Sequence, residues 1–181
     1  MDPLTGEHLA LDLVNTRTAD GDLLATPDDL RVWLAMEGER VGVEKTRDLD
    51  EDDLAAVRNV REDTSAVLRA LLNGERPPKD ALDGLVAAQR KAPAILSPTW
   101  TGGRLSAVRR REGTPGARLA AELAGAAVKL AGSDDVAKLR ECEAGDCVLL
   151  FVPAHPRRRW CSPARCGNRV RVARHYHRHK D

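Results

Sequence analysis

Residues 142–166 read CEAGDCVLLFVPAHPRRRWCSPARC, and this stretch holds all four cysteines of a 181-residue chain. Its spacing is C-x4-C-x13-C-x4-C, two close pairs around a short span. Each pair can fill two corners of a tetrahedron, and the span can return the second pair to the first, as thiolate coordination of Zn²⁺ requires. No cysteine is left over. In a reducing compartment such a set reads as metal ligands rather than disulfides. Cys142, Cys147, Cys161 and Cys166 are therefore the expected ligands of one structural zinc. Four thiolates close the coordination shell and leave no open position for catalysis.

The residues between and after the pairs complete the expectation. Leu149, Phe151 and Val152 are β-prone, Pro153-Ala154-His155-Pro156 reads as a turn, and residues 157–160 read as the return strand of a small hairpin. Ser162 can cap a helix whose first residue is Pro163. Knuckle, hairpin, then a helix carrying the last ligand is a treble-clef-like arrangement. Histidine ligands fit less well. Eight residues separate Cys166 from His175, where a two-Cys, two-His finger wants about 12.

At about 100° per residue, the final helix places Cys166, Val170, Ala173 and His177 on one stripe facing the metal. Arg171, Arg174 and Arg178 form a second stripe, with Asn168, His175 and His179 beside it. Arg157, Arg158 and Arg159 add charge next door. Arg, Asn and His on a rigid basic helix suit phosphates and base edges. Arg157, Arg158, Arg159, Asn168, Arg171, Arg174, His175 and Arg178 are accordingly the expected DNA-contacting set.

Net charge sharpens this. The chain totals +1, yet residues 1–63 carry −10, residues 64–151 carry +3 and residues 152–181 carry +8. An acidic body with a basic tail points to a polyanion-binding end. Arg outnumbers Lys 23 to 6, which points to a GC-rich bacterial genome. The N-terminus MDPLTGEHLALDL lacks the basic region of a signal peptide, and no apolar run is long enough for a membrane helix. The cytoplasm is the expected compartment, with no membrane partner.

Residues 1–135 read as a helical body. Leu9, Ala10, Leu13 and Val14 give a short apolar stripe. Thr26-Pro27 opens a helix carrying Leu30, Trp33, Leu34 and Met36 to Gly38. Residues 50–73 form the clearest helix, with Leu54, Val57, Val60, Arg61, Thr64, Val67, Leu68, Leu71 and Leu72 at a period near 3.6. After Pro77-Pro78, Leu82, Leu85, Val86 and Gln89 mark a helix folded back on it. Thr114-Pro115 opens a fifth, with Leu119, Leu123, Ala126, Ala127 and Leu130 inward. Between the fourth and fifth, Gly102-Gly103 is the turn of a β-hairpin. The fold class is thus mainly α with a small β-hairpin: a helical N-terminal domain over 1–135 and a treble-clef-like four-cysteine zinc finger over 136–181. The body carries no GxSxG, HExxH or phosphate-binding glycine loop. His8 and Asp12, four apart, read as a surface pair.

Arg158-Arg159-Trp160-Cys161-Ser162 followed by Cys166-Gly167-Asn168-Arg169 resembles the CGNR zinc finger, which is named for that tetrapeptide. Its usual companion is an N-terminal helical ABATE domain, associated with stress-induced transcription regulation, and LALDLVNT at residues 9–16 is similar to the opening motif of that domain. The resemblance spans almost the whole chain. It implies that the four cysteines bind zinc and that the protein is a DNA-binding regulator. Two positions depart from the family pattern. Val152-Pro153-Ala154-His155-Pro156 stands where an Asp-x-Ser-Arg-Asn-like turn is usual, and Pro163 stands where Met is usual. Neither is a metal ligand.

The leading expectation is a regulator whose body dimerises or senses a small-molecule effector and whose finger binds DNA. One finger offers a small interface, so specific binding calls for a dimer or flanking contacts. The competing readings are a zinc-stabilised protein- or ligand-binding module without DNA binding, and a nuclease using His155, Asn168 and His175 or His179.

Overall fold

The computed structural model describes residues 5–41 and 49–178. The body is built from α1 (Leu9–Val14), the small pair β1 (Arg17–Thr18) and β2 (Gly21–Asp22), α2 (Pro27–Glu37), α3 (Glu51–Leu72), α4 (Lys79–Lys91), the hairpin β3 (Ala94–Thr101) with β4 (Arg104–Arg111), and α5 (Pro115–Ala131). All five expected body helices form. Their starts follow from local chemistry. Thr26 accepts from the Asp29 N–H while the Asp29 side chain returns to the Thr26 N–H, and Asp50 and Asp53 repeat this at α3. Each box satisfies two amides that a helix N-terminus otherwise leaves unpaired. Thr114 caps α5, with Pro115 at its first position.

α3 packs against α4 and α5, and α1 against α3 and α5. Leu11, Leu13, Leu30, Trp33, Leu54, Val57, Leu68, Leu85, Leu119 and Leu123 meet in one core. Gly116 matters here, because a Cβ on it would lie 1.8 Å from an Asp53 carboxylate oxygen. Only glycine lets the first turn of α5 come this close to the first turn of α3.

The structure corrects several packing details. α4 buries Ala81 and Leu85, while Leu82 and Val86 stay open. On α2, Met36 is exposed and Glu37 is buried in its place. Asp12 is fully buried, and His8 pairs with Asp135 at 3.3 Å instead of with Asp12. Both buried carboxylates turn inward because a cation, Arg40, stands between them, which periodicity in one helix does not reveal.

The finger hairpin also differs from expectation. β5 (Arg140–Glu141) pairs with β6 (Leu150–Phe151), in register Arg140↔Phe151 and Glu141↔Leu150. The first knuckle is therefore the loop of the hairpin. Residues 157–160 form no strand: the Arg158 N–H turns back to the His155 carbonyl at 2.9 Å, and the Glu143 N–H donates to the Arg159 carbonyl at 3.0 Å. Pro153 and Pro156 supply no N–H to a ladder, and Arg158 folds back on its own loop. A wide turn, Pro163–Gly167, then leads into α6 (Asn168–Arg178). The Ser162 hydroxyl accepts from the Arg165 N–H, as the capping reading expects.

Body and finger share packing. Leu139 and Leu150 are members of the body core. The Asn15 side chain donates to the Leu150 carbonyl at 2.8 Å and accepts from its N–H at 2.9 Å, acting as a third strand for one residue.

Candidate metal centre

The two close pairs meet because the hairpin and the wide turn converge. Cys142 follows β5 and Cys147 precedes β6; Cys161 precedes the wide turn and Cys166 sits within it. The four sulfurs lie within 4.8 Å of one another. Cys147 and Cys161 are 3.8 Å apart, and Cys161 and Cys166 are 3.5 Å apart. A tetrahedron with Zn–S bonds of about 2.3 Å has edges of about 3.8 Å. The donor set fits zinc, and the cluster holds one structural zinc ion. Among the described residues it is the only group of three or more potential metal ligands.

The thiols show why a dication belongs there. A hydrogen bond from Cys161 pulls Cys147 down to about 5. That same bond, together with burial, holds Cys161 far above its ordinary value, and burial lifts Cys166 to about 11. Zn²⁺ replaces the thiol protons and stabilises four thiolates at once.

The tetrapeptide at residues 166–169 can be read physically. Cys166 is a ligand. A Cβ on Gly167 would press the Trp160 ring at 3.4 Å, so glycine lets the indole lie against the turn. The Asn168 amide donates to the Ala164 carbonyl at 2.9 Å, and its oxygen accepts from Arg171. Arg169 donates to Cys166 Sγ at 3.4 Å and pairs with Asp146 at 2.8 Å, bridging the second knuckle to the first. The Cys161 N–H also donates to Cys142 Sγ at 3.4 Å. Such groups spread the thiolate charge and orient the ligands. Arg169→Ala should weaken zinc binding by roughly 10–100-fold, read by competition with a chromophoric chelator.

The expected DNA-contacting residues divide. Arg158 faces inward: its guanidinium covers the Phe151 ring at 4.5 Å, bonds the Trp160 and Cys161 carbonyls, and pairs with Glu7 at 2.6 Å. It braces body to finger. Arg159 pairs with Glu143 and lies over Trp160, while Arg157 is exposed. Arg171 and His175 are exposed on α6. Arg174, His177 and Arg178 lie on the same helix, with side chains outside the described set, and His179 lies outside the described residues. Val170 packs against the zinc cluster, but Ala173 is exposed, so α6 leaves the metal one turn earlier than its stripe implies.

The motif at residues 9–16 proves to be a set of buried polar ties. Asp12 accepts from the N–H groups of Gly6 and Glu7 at 2.9 and 3.1 Å and from Arg40 at 2.7 Å. Thr16 accepts from Arg61 at 3.1 Å, and Arg61 holds Asp22 through both nitrogens at 2.6 and 2.7 Å. Glu37 shares Arg40 at 2.6 Å, with its other oxygen buried and unpaired. Burial and the Asp12 charge raise Glu37 to about 7 against the pull of Arg40. The folded chain thus holds a proton that the unfolded chain releases above about 4.5, so stability falls as pH rises through that window. Glu37→Gln should flatten this slope and raise stability at pH 8 by on the order of 1–3 kcal/mol, measured by urea unfolding at several pH values.

No helix among the described residues is long and apolar enough to cross a membrane. Residues 7–134 match the ABATE family, described as "Putative stress-induced transcription regulator", and residues 138–179 match the CGNR zinc finger. Neither is an enzyme family. No curated protein matches the chain. With a body match covering well over half its length and a four-cysteine cluster of zinc geometry, the chain belongs to the ABATE family, joined to a CGNR zinc finger.

Proposed function

We propose that the protein is a cytoplasmic, DNA-binding transcription regulator, with residues 1–135 as the regulatory body and residues 136–181 as a treble-clef-type reading head. The supporting observation is that the zinc cluster fixes the root of α6, whose exposed residues include Arg171 and His175. A helix held by a metal at one end and carrying Asn168, Arg171, Arg174, His175 and Arg178 can enter a major groove, while Arg157 and Arg159 on the preceding loop reach phosphates. Arg158 is left out of this set because its contacts are spent on the junction. The closed thiolate shell offers no position for a reacting water, so the reading includes no catalytic step.

The salt dependence of binding tests this. Arg171→Ala, Arg174→Ala and Arg178→Ala should each reduce the slope of log affinity against log salt by about one unit, equally on all sequences. Asn168→Ala should cost about 1–3 kcal/mol on preferred sites and little on random DNA. Fluorescence anisotropy across a salt series reads both. A triple arginine variant that binds as wild type at every salt concentration contradicts the proposal. It would favour a protein-docking role, for which the exposed Val172 and Tyr176, four apart on α6, are the supporting feature.

A further inference from the structure

The β3–β4 hairpin is an arm. Every residue of its two eight-residue strands is exposed or half-exposed. It is gripped at its root, where Arg111 pairs with Glu122 of α5 at 2.9 Å and donates to the Ala92 carbonyl at 2.6 Å. Two-stranded ribbons are marginal in water unless a third strand, a helix or another surface covers one face.

The register defines the two faces. Opposed residues share a face and successive residues alternate. One face runs from Ala94 and Arg111 through Leu96 and Arg109, then Pro98 and Ala107, to Trp100 and Leu105 at the tip. The other carries Ile95, Ser97, Thr99 and Thr101 opposite Arg110, Val108, Ser106 and Arg104. Leu96, Trp100 and Leu105 on the first face are 69%, 70% and 63% exposed. The face Arg111 uses to hold α5 thus runs on, apolar and open, to the tip.

We propose that this face is a homodimer interface, in which the arms of two copies pack against each other, root to tip. Three observations select a second copy. First, no Asp or Glu occurs between Gly84 and Arg111, so the arm is basic, yet Arg104 and Arg110 stand on the opposite face. The apolar face carries Arg109 alone beyond the root, so pairing it does not press like charges together. A nucleic acid would seek the opposite face. Second, the shape is self-complementary under a two-fold axis. Small Pro98 and Ala107 fall at the centre, and each Trp100 and Leu105 meets Leu96 and Arg109 of the second copy, where a guanidinium over an indole is favourable. Third, the area suffices. Leu96, Trp100 and Leu105 present roughly 400 Å² per copy, and with Pro98 and Ala107 a pair removes about 1,000 Å², the lower size of a specific interface. Pro98 also removes one N–H from β3, which discourages growth edge to edge into a continuous sheet. This inference stands independently of DNA binding.

Sedimentation equilibrium on the zinc-loaded full chain, between about 1 and 100 μM, tests it. Wild type should reach the mass of two chains. Trp100→Ser with Leu105→Ser should raise the dimer dissociation constant at least about 100-fold, because each change counts twice in a symmetric interface. Arg104→Ser with Arg110→Ser should leave the mass unchanged, and circular dichroism should show the same helix content in all three. The emission lost on Trp100→Phe should be that of a buried indole at high concentration and red-shift on dilution. A wild-type monomer at about 100 μM, or a Trp100/Leu105 variant as dimeric as wild type, overturns the proposal. So does a Trp100/Leu105 variant that keeps its mass while either variant loses DNA affinity, which would assign the arm to nucleic acid.

Discussion

Replacing Cys166 with Ser should release zinc and unravel the finger from residue 152 onward. Zinc-finger peptides gain about 10–16 kcal/mol from the metal, far more than the small cluster of Ala144, Leu149, Phe151 and Val170 around the cysteines can offer. The body should stay folded, since Leu139 and Leu150 belong to its core and are not held by the metal. Helix content should fall by about the length of α6 while the α1–α5 amides keep their protection, read by circular dichroism and hydrogen exchange. A tail as protected without zinc as with it would show that packing on the body holds the finger instead.

The second large effect lies at the junction. Asn15→Ala should destabilise the whole protein by about 2–4 kcal/mol, because both the N–H and the carbonyl of Leu150 become buried groups without a partner. Asn15→Asp should be as harmful, since one hydrogen bond becomes the repulsion of a carboxylate by a carbonyl. The loss should reach the finger: if Asn15 joins the modules, the variant loosens β6 and weakens zinc binding together. Chemical unfolding followed by both body fluorescence and zinc release measures this. Two transitions that stay coincident and unmoved would contradict the role of Asn15.

Much of this was legible in sequence because it rests on local rules. The cysteine spacing, the Thr26-Pro27 and Thr114-Pro115 starts and the Gly102-Gly103 turn each depend on a few neighbouring residues, and each has its expected structural counterpart. The turn works because both glycines take positive φ, 61° and 78°. What stayed hidden depends on residues far apart in the chain. Nothing near Asp12 announces that Arg40 neutralises it 28 positions later, nor that Glu7 reaches Arg158 across 151. Arg158 looked like its two arginine neighbours, and only the position of Phe151 and Glu7 separates them. The pairing of the finger strands is hidden for a related reason: β-propensity marks residues 149–152, but the partner strand, Arg140–Glu141, is two residues long and polar. Its place is set by its ladder with β6, whose other edge Asn15 holds through Leu150.

If zinc holds α6 in the form that meets DNA, affinity must follow the metal. The direct measurement is affinity for duplex DNA, by anisotropy at fixed low salt, before chelation, after zinc removal and after one equivalent of zinc is restored. Binding should disappear with the metal and return with it, in step with the helix content of α6. Equal affinity in the metal-free protein, with the finger unfolded, would contradict that dependence.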